Sequence, residues 1–364
     1  MLPDKILVIA TRQIGDVLLS TPLIRSLRRA WPKARLDVLV YEKTGHILQG
    51  NSDIDHLIEV AEHPNKSQYW VLLKQIFRRY NLAVSILGGD RPLIYALLAA
   101  PQRVSIVPPP QRYAHWKRAI CKTWVELDNV STHTVEQYLQ LADALKIERC
   151  YDIVLPISID SNELDSLLPF DRQEKKYAVL HLMPMWRYKR WNPEGWRALI
   201  DSLFQQDIQI VITGSPSHQE QKLVNEILEL NPQQVVNLAG QLNLAQVAQL
   251  ITTAALFVGP DTSVTHIAAA TGAPTLAIFG PSNPVKWGPW PKGYDKTAPP
   301  FVNHAEVQHV GNVYLLQGAR DCVPCHEEGC DRHKGSASRC LDELPANRVI
   351  DAAKLLLNPN LAKH

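Results

Sequence analysis

The chain has 364 residues, enough for two domains at about 150 residues each. Its 46% hydrophobic and 20% charged composition is that of a globular protein and excludes a disordered chain, a fibre and a coiled coil. With 38 Lys/Arg against 36 Asp/Glu the formal charge is +2, too even for a protein that coats nucleic acid by bulk charge, and six cysteines are too few for a disulfide scaffold.

Residues 5–10 form a continuous apolar run, the pattern of a parallel strand buried on both faces. A turn follows at 11–16, and then apolar residues recur at a helical period over 17–31. Strands are predicted at 36–41 and 57–60, with a short helix and loop between them at 46–54. A helix at 68–80 and a strand at 82–87 come next, the strand running into Gly88-Gly89-Asp90. This alternation predicts a doubly wound α/β sheet. Pro108-Pro109-Pro110 interrupts the rhythm, 111–122 is basic and aromatic, and 135–145 reads as a helix. The polar, aperiodic segment 159–176 marks a boundary, so the first domain is expected over 1–165.

A second series of the same kind is expected over 176–344. Strands are predicted at 177–182, 208–213, 235–238, 256–258 and 275–279, and helices from Asn192-Pro193-Glu194 onward, at 218–230, 244–252 and 263–271. The tail, 345–364, carries a helix with Val349, Ile350, Ala353, Leu356 and Leu357 on one face. The longest apolar region, 251–280, is broken by Gly259, Pro260, Asp261, His266 and Pro274, and the N-terminus lacks the pattern of a signal peptide. The expected location is cytoplasmic.

Four stretches carry chemistry. Arg12-Gln13-Ile14-Gly15-Asp16 ends the first strand, where open α/β sheets bind ligands. Asp16 there is either a helix cap or a catalytic carboxylate. The loop has one glycine, Gly15, where a dinucleotide fingerprint needs three, which counts against an NAD oxidoreductase. Gly259 to His266, with Asp261, Thr262 and Ser263, again joins a strand to a helix start and suits a phosphate; the bland alternative makes Asp261 and Thr262 caps. His181 to Trp191 gathers Arg187, Lys189 and Arg190, cations that can neutralise a diphosphate, while Trp191 and Trp196 read as anchors for the next helix. Cys322, Cys325, Cys330 and Cys340 lie within 19 residues with His326 and His333 between; zinc, a redox pair and reduced thiols all remain open. Arg25, Arg28, Arg29, Lys33 and Arg35 line or flank the first helix, and Trp116, Lys117 and Arg118 add to the first domain's cations. They face an anionic acceptor or membrane surface, or form a solvated helix face.

Ile14-Gly-Asp-Val-Leu-Leu-Ser-Thr-Pro22 with Trp31-Pro32, then Asp261-Thr-Ser-x-x-His266 with Gly272-x-Pro274 and Phe279-Gly-Pro-Ser-Asn-Pro284, and Lys189-x-Trp191 with Trp196, together resemble glycosyltransferase family 9, the bacterial lipopolysaccharide heptosyltransferases. The resemblance runs over nearly the whole chain, including the cysteine-containing tail that ends in Cys340-Leu341, and is strongest to the members that add the branch heptose of the inner core. It implies a GT-B fold, two Rossmann-like domains facing across a cleft, with the C-terminal helix packing back on the N-terminal domain. It implies ADP-heptose as donor, a lipopolysaccharide inner-core acceptor and an inverting transfer with no metal ion or other cofactor. By matching positions, Asp16 is the general base, Lys189 contacts the diphosphate, and Asp261, Thr262 and His266 hold the donor. Ser263 and the strand-end Gly214 are assigned to the donor as well, and Arg12 and Gln13 to the acceptor. Where better-known members carry small hydroxyl residues, this chain has Met183-Pro184-Met185, so Arg187 is expected to take part of the phosphate role. Peripheral contact with the anionic inner membrane and no nucleic-acid partner are expected. The alternatives are a different heptosyltransferase step, another nucleotide-sugar transferase, and a non-catalytic nucleotide- or zinc-binding protein.

Overall fold

A computed structural model describes residues 2–110, 115–158, 162–228 and 235–358. The chain divides into two units, residues 1–156 with 295–298, and residues 157–294 with 299–364. The division therefore falls before the polar segment, and the short helix within that segment belongs to the second unit. Parts of the expected elements at 111–114, 159–161, 229–230 and 359–364 lie outside the described residues.

The first unit is a parallel six-stranded sheet, β1 (Lys5–Ile9), β2 (Arg35–Tyr41), β3 (His56–Val60), β4 (Leu82–Ser85), β5 (Gln102–Val107) and β6 (Thr123–Glu126), in the order β3-β2-β1-β4-β5-β6. The central strands are apolar along their length because helices cover both faces. The helices are α1 (Ile14–Leu19), α2 (Thr21–Ala30), α3 (Lys66–Ile76), α4 (Asp90–Ala99), α5 (His115–Ile120) and α6 (Thr134–Ala144). Strand order and right-handed crossovers put α1 and α2 on one face and α3, α4 and α5 on the other, and α6 packs on α2. The single helix expected at 17–31 is two. Ser20, whose Oγ bonds to the Val17 carbonyl at 2.7 Å, ends α1, and Pro22, which has no N–H, sits in the first turn of α2. The expected helix 68–80 stops at Ile76 because Arg78 adopts φ +52. β5 and β6 are additions to the expected series. β6 is an edge strand, half exposed, with no apolar run to betray it.

The second unit carries β7 (Tyr177–His181), β8 (Gln209–Thr213), β9 (Val235–Asn237), β10 (Leu256–Pro260), β11 (Thr275–Phe279), β12 (Val307–Val310) and β13 (Val313–Gln317). Their order is β12-β13-β11-β10-β7-β8-β9, parallel except for the edge hairpin β12–β13. Its helices are α7 (Asn162–Ser166), α8 (Pro193–Phe204), α9 (His218–Leu228), α10 (Leu244–Thr252), α11 (Ser263–Thr271), α12 (Pro284–Trp287), α13 (Arg339–Asp342) and α14 (Ala346–Leu357). Asn192 caps α8 by accepting from the Gly195 N–H at 2.6 Å, with Pro193 as its first residue. α14 packs on α8 and against β10, β11 and β13, and Val349, Ala352, Ala353 and Leu356 enter the same core as Trp196 and Leu199. An apolar stripe is spent where it finds a matching apolar face, and α8 offers one.

Candidate active site

The first sheet reverses direction between β1 and β4, and open parallel sheets bind ligands beyond strand carboxyl ends at such a point. The loop after β1 brings Arg12, Gln13 and Asp16 there. Gln13 is the N-cap of α1, so Asp16 is not a cap; it is the third helical residue and only 7% exposed. Its Oδ1 accepts twice, from Arg12 Nη2 at 3.0 Å and from the Tyr138 hydroxyl at 3.2 Å. Oδ2 accepts from no other described residue. Tyr138 was not legible as a site residue. It projects from α6, which His133 caps by accepting from the Val135 N–H at 3.1 Å and which packs on α1 and α2. Burial, and then the Asp16 charge, raises the Tyr138 phenol well above its ordinary pKa, so it stays a hydrogen-bond donor. Burial opposes the charge of Arg12, but Asp16 beside it holds the guanidinium's pKa above its ordinary value.

The second sheet reverses between β7 and β10. The loop after β7 folds into a 3-10 turn, Arg187–Lys189, pinned by the Ser338 hydroxyl on the Tyr188 carbonyl at 2.6 Å. Trp191 anchors its far end: its ring lies 5.0 Å from that of Trp196 and its Nε1 donates to the Leu344 carbonyl at 3.0 Å. This geometry places Lys189 Nζ 2.6 Å from Oδ2 of Asp261, the residue that follows β10. Burial works to raise the Asp261 carboxyl, but Lys189, with Ser282 and His266, holds it below the usual carboxylate range. His266 is buried in α11. Thr262 is the N-cap of α11, accepting from the Thr265 N–H at 3.4 Å, so its cap reading stands and that of Asp261 does not. Ser263 opens the helix, half exposed. Arg187 is exposed; its carbonyl accepts from the Arg190 N–H at 3.0 Å, and its side chain makes no hydrogen bond or ion pair with another described residue.

Gly214 follows β8. A Cβ there would stand 2.5 Å from Glu220 Oε1, so the glycine makes room for a carboxylate absent from the expected set. Glu220 is buried, takes a hydrogen bond from the Ser215 hydroxyl on Oε2 and has no partner on Oε1. Burial raises its pKa, and Arg190 partly offsets this. The buried Arg190 Nε likewise lacks a partner among the described residues, and burial lowers its pKa. The signal that would have found Glu220 is its place in the first turn of the helix after the second strand, where nucleotide folds put a ribose-binding acid. His181, bonded to Thr213 at 3.1 Å, is driven down to about 4 by burial and is neutral near neutral pH.

The remaining motifs contribute no visible chemistry. Cys322, Cys325 and Cys330 are exposed, Cys340 is buried with its thiol pushed up to about 12, and all four are free thiols. No group of three or more His, Cys, Asp or Glu among the described residues is arranged to hold a metal ion. The cations expected on the first helix are largely paired, Arg25 with Asp53 at 2.9 Å, Arg28 with Asp55 at 2.6 Å and Arg35 with Asp37 at 3.0 Å. No helix among the described residues is long and apolar enough to cross a membrane.

Comparison with known proteins points the same way as the two strand-end sites. Residues 111–308 match the family model of glycosyltransferase family 9 (heptosyltransferase). The chain is 30% identical to lipopolysaccharide heptosyltransferase 3 of Escherichia coli K12 over 362 residues, covering 95% of this chain and 96% of that one. In fold it is similar to the family 9 glycosyltransferase of Veillonella parvula, with a TM-score of 0.77 at 19% identity over 97% of each chain. It is similar also to the E. coli ADP-heptose lipopolysaccharide heptosyltransferase II, with a TM-score of 0.71 at 20% identity over 98% of this chain and 99% of that one. The architecture is that of the GT-B heptosyltransferases, with two Rossmann-like units.

Proposed function

The chain belongs to glycosyltransferase family 9, the heptosyltransferases, and is a glycosyltransferase of lipopolysaccharide core biosynthesis; on that premise we propose that it moves L-glycero-D-manno-heptose from ADP-heptose to a heptose of the inner core, the branch position, with inversion. The acceptor hydroxyl attacks the anomeric carbon, the bond from that carbon to the diphosphate oxygen breaks, and ADP departs. The hydroxyl proton passes to Asp16.

The observation that carries this reading is the Asp16 carboxylate, buried at a strand end, used for no cap and, among the described residues, engaged through Oδ1 alone. That arrangement leaves Oδ2 for a proton, which is what a general base needs. Arg12 holds the carboxylate and, with Gln13, contacts the acceptor. On the donor side Lys189, Arg187 and the N–H groups at the start of α11, beside the Ser263 hydroxyl, meet the charge that develops on the leaving diphosphate. Asp261 fixes Lys189 and, with His266, meets the heptose, and Glu220 Oε1 beside Gly214 accepts from the ribose hydroxyls. The positive charge for the leaving group thus comes from side chains and helix N–H groups, and the reading requires no metal. The enzyme works at the cytoplasmic face of the inner membrane, in peripheral contact with anionic lipid around its anchored acceptor.

The test is ADP release measured with ADP-heptose and core acceptors truncated at successive heptoses. Turnover only on acceptors that already carry two heptoses supports the branch assignment. Turnover on a shorter acceptor moves the linkage. Tight ADP-heptose binding without turnover on any core acceptor overturns the acceptor class, and no binding overturns the donor.

A further inference from the structure

The near-neutral chain hides a segregated charge. Residues 66–125 hold ten Lys/Arg and one acidic residue, Asp90, while the rest of the chain is acidic on balance. The same segment holds half of the large hydrophobic side chains that are exposed among the described residues, including Trp70 at 66% and Phe77 at 52%. Surface apolar residues scattered singly need no explanation, but a cluster with one sign of charge does.

The fold gathers them. α3 packs on α4, and α4 on α5, all on one face of the first sheet. Their inward sides, Leu72, Ile76, Tyr95, Ala96 and Ala99, make the core, and their outward sides carry Trp70, Ile94, Leu97 and Trp116. Exposed rings on this face sit under cations: Arg78 lies 5.5 Å from the Phe77 centroid, Lys117 5.7 Å from Trp116, and Arg118 4.8 Å from Trp124. Lys117 and Arg118 are also ion-paired, with Asp90 at 2.8 Å and Glu126 at 3.2 Å, as Arg25 and Arg28 on the other face are with Asp53 and Asp55; the cations of the patch that make no ion pair with another described residue include Lys74, Arg78 and Arg79. The patch also reaches the edge that bears the base. Lys117 Nζ donates to the Gly88 carbonyl at 2.8 Å, beyond β4, the neighbour of β1.

We propose that the α3–α4–α5 side of the first unit is the surface by which this enzyme lies on an anionic phospholipid bilayer, with Trp70, Phe77, Ile94, Leu97, Trp116 and Trp124 entering the headgroup boundary and the surrounding Lys and Arg meeting lipid phosphate. The inference rests on the reading that the acceptor is membrane-anchored and says which face turns to the membrane. Charge complementarity selects the occupant: a ring's apolar body under a cation suits the wet boundary of a bilayer, and basic clusters bind acidic lipid in a salt-dependent way. An acceptor anchored in that bilayer then presents its sugars to the sheet edge where Asp16 stands.

The full chain is to be sedimented with vesicles of phosphatidylglycerol and phosphatidylethanolamine, and with phosphatidylcholine alone, at low and high salt. The expected result is binding to the anionic vesicles only, weakening with salt. Replacing Trp70→Ser with Phe77→Ser lowers it, and Lys74→Glu with Arg78→Glu lowers it roughly fivefold or more per cation. Arg29→Glu on α2 and Phe204→Ser on α8, both exposed and off the patch, leave it unchanged. Patch variants that bind like wild type, or an Arg29→Glu loss of equal size, overturn the proposal. So does a dimer in sedimentation velocity that Trp70→Ser dissociates, which assigns the face to a second copy. Transfer to delipidated, water-soluble core oligosaccharide is read in parallel. The patch variants keep it, whereas a wild type inactive on every acceptor defeats the functional reading and leaves the vesicle result standing.

Discussion

Tyr138 and Asp16, 122 residues apart in the chain, meet at 3.2 Å, and the phenol donates to the same carboxylate oxygen that Arg12 holds. Tyr138→Phe keeps the ring and removes the donor. It is expected to lower kcat about tenfold, the worth of one hydrogen bond to a charged group, while leaving the donor KM unchanged. Asp16→Asn, which removes the base, is expected to cost about 10²–10⁴ in kcat. A Tyr138→Phe enzyme whose donor KM rises while kcat holds would place the tyrosine on the donor rather than on the base.

Lys189 and Asp261 test stability and chemistry separately. Lys189→Ala removes the cation paired with a buried carboxylate, which costs roughly 3–5 kcal/mol. Adding Asp261→Asn removes that charge, so the double variant should recover most of the lost Tm and none of the lost turnover. Because the folded Asp261 carboxyl lies below its unfolded value, the pair stabilises the wild type above about pH 4 and fades as pH falls through the lowered value. Melting curves from pH 3 to 8 read both effects.

Glu220 behaves in the opposite sense. Its folded pKa is raised, so its ionisation opposes the unliganded fold once pH rises past the unfolded value. Glu220→Gln should therefore raise Tm at pH 8, with the gain shrinking toward pH 5, and raise the donor KM. Gly214→Ala, whose Cβ displaces the same carboxylate, should raise the donor KM without that gain in Tm.

The C-terminal helix is structural for the second unit. Truncation before Ala346 exposes the Trp196 and Leu199 face of α8 and should abolish cooperative unfolding of that unit. Trp196→Ala alone is expected to cost about 3–5 kcal/mol. A truncated chain with an unchanged melting transition would refute this.

If, as proposed, Lys189, Arg187 and the α11 N–H groups meet the leaving group's charge, EDTA dialysis is expected to leave turnover unchanged. Activity lost to EDTA and restored by a divalent ion would place a metal in the step.

Both series of strands and helices are legible in the sequence because buried parallel strands read as apolar runs and helices repeat every three to four residues; β1, β7, β10 and α11 lie where those patterns put them. The strand-end loops follow from the same patterns, so Arg12, Asp16, Lys189 and Asp261 were legible as candidates. The half-exposed edge strands β6 and β12 were not, having no buried apolar run, and β5 and β13 were missed as well although both are largely buried. Nor could sequence show that Asp16 is no cap, since Gln13 is the N-cap of α1, or join Tyr138 to it, because that contact depends on how α6 packs on α1 and α2. Tertiary structure alone decided that Arg25 and Arg28 pair with Asp53 and Asp55, that Arg78 and Lys117 lie over the exposed rings of Phe77 and Trp116, and that α14 completes the second unit's core. Sequence specifies which stripe of a helix is apolar; the partner for that stripe is set by which faces the chain brings within van der Waals reach.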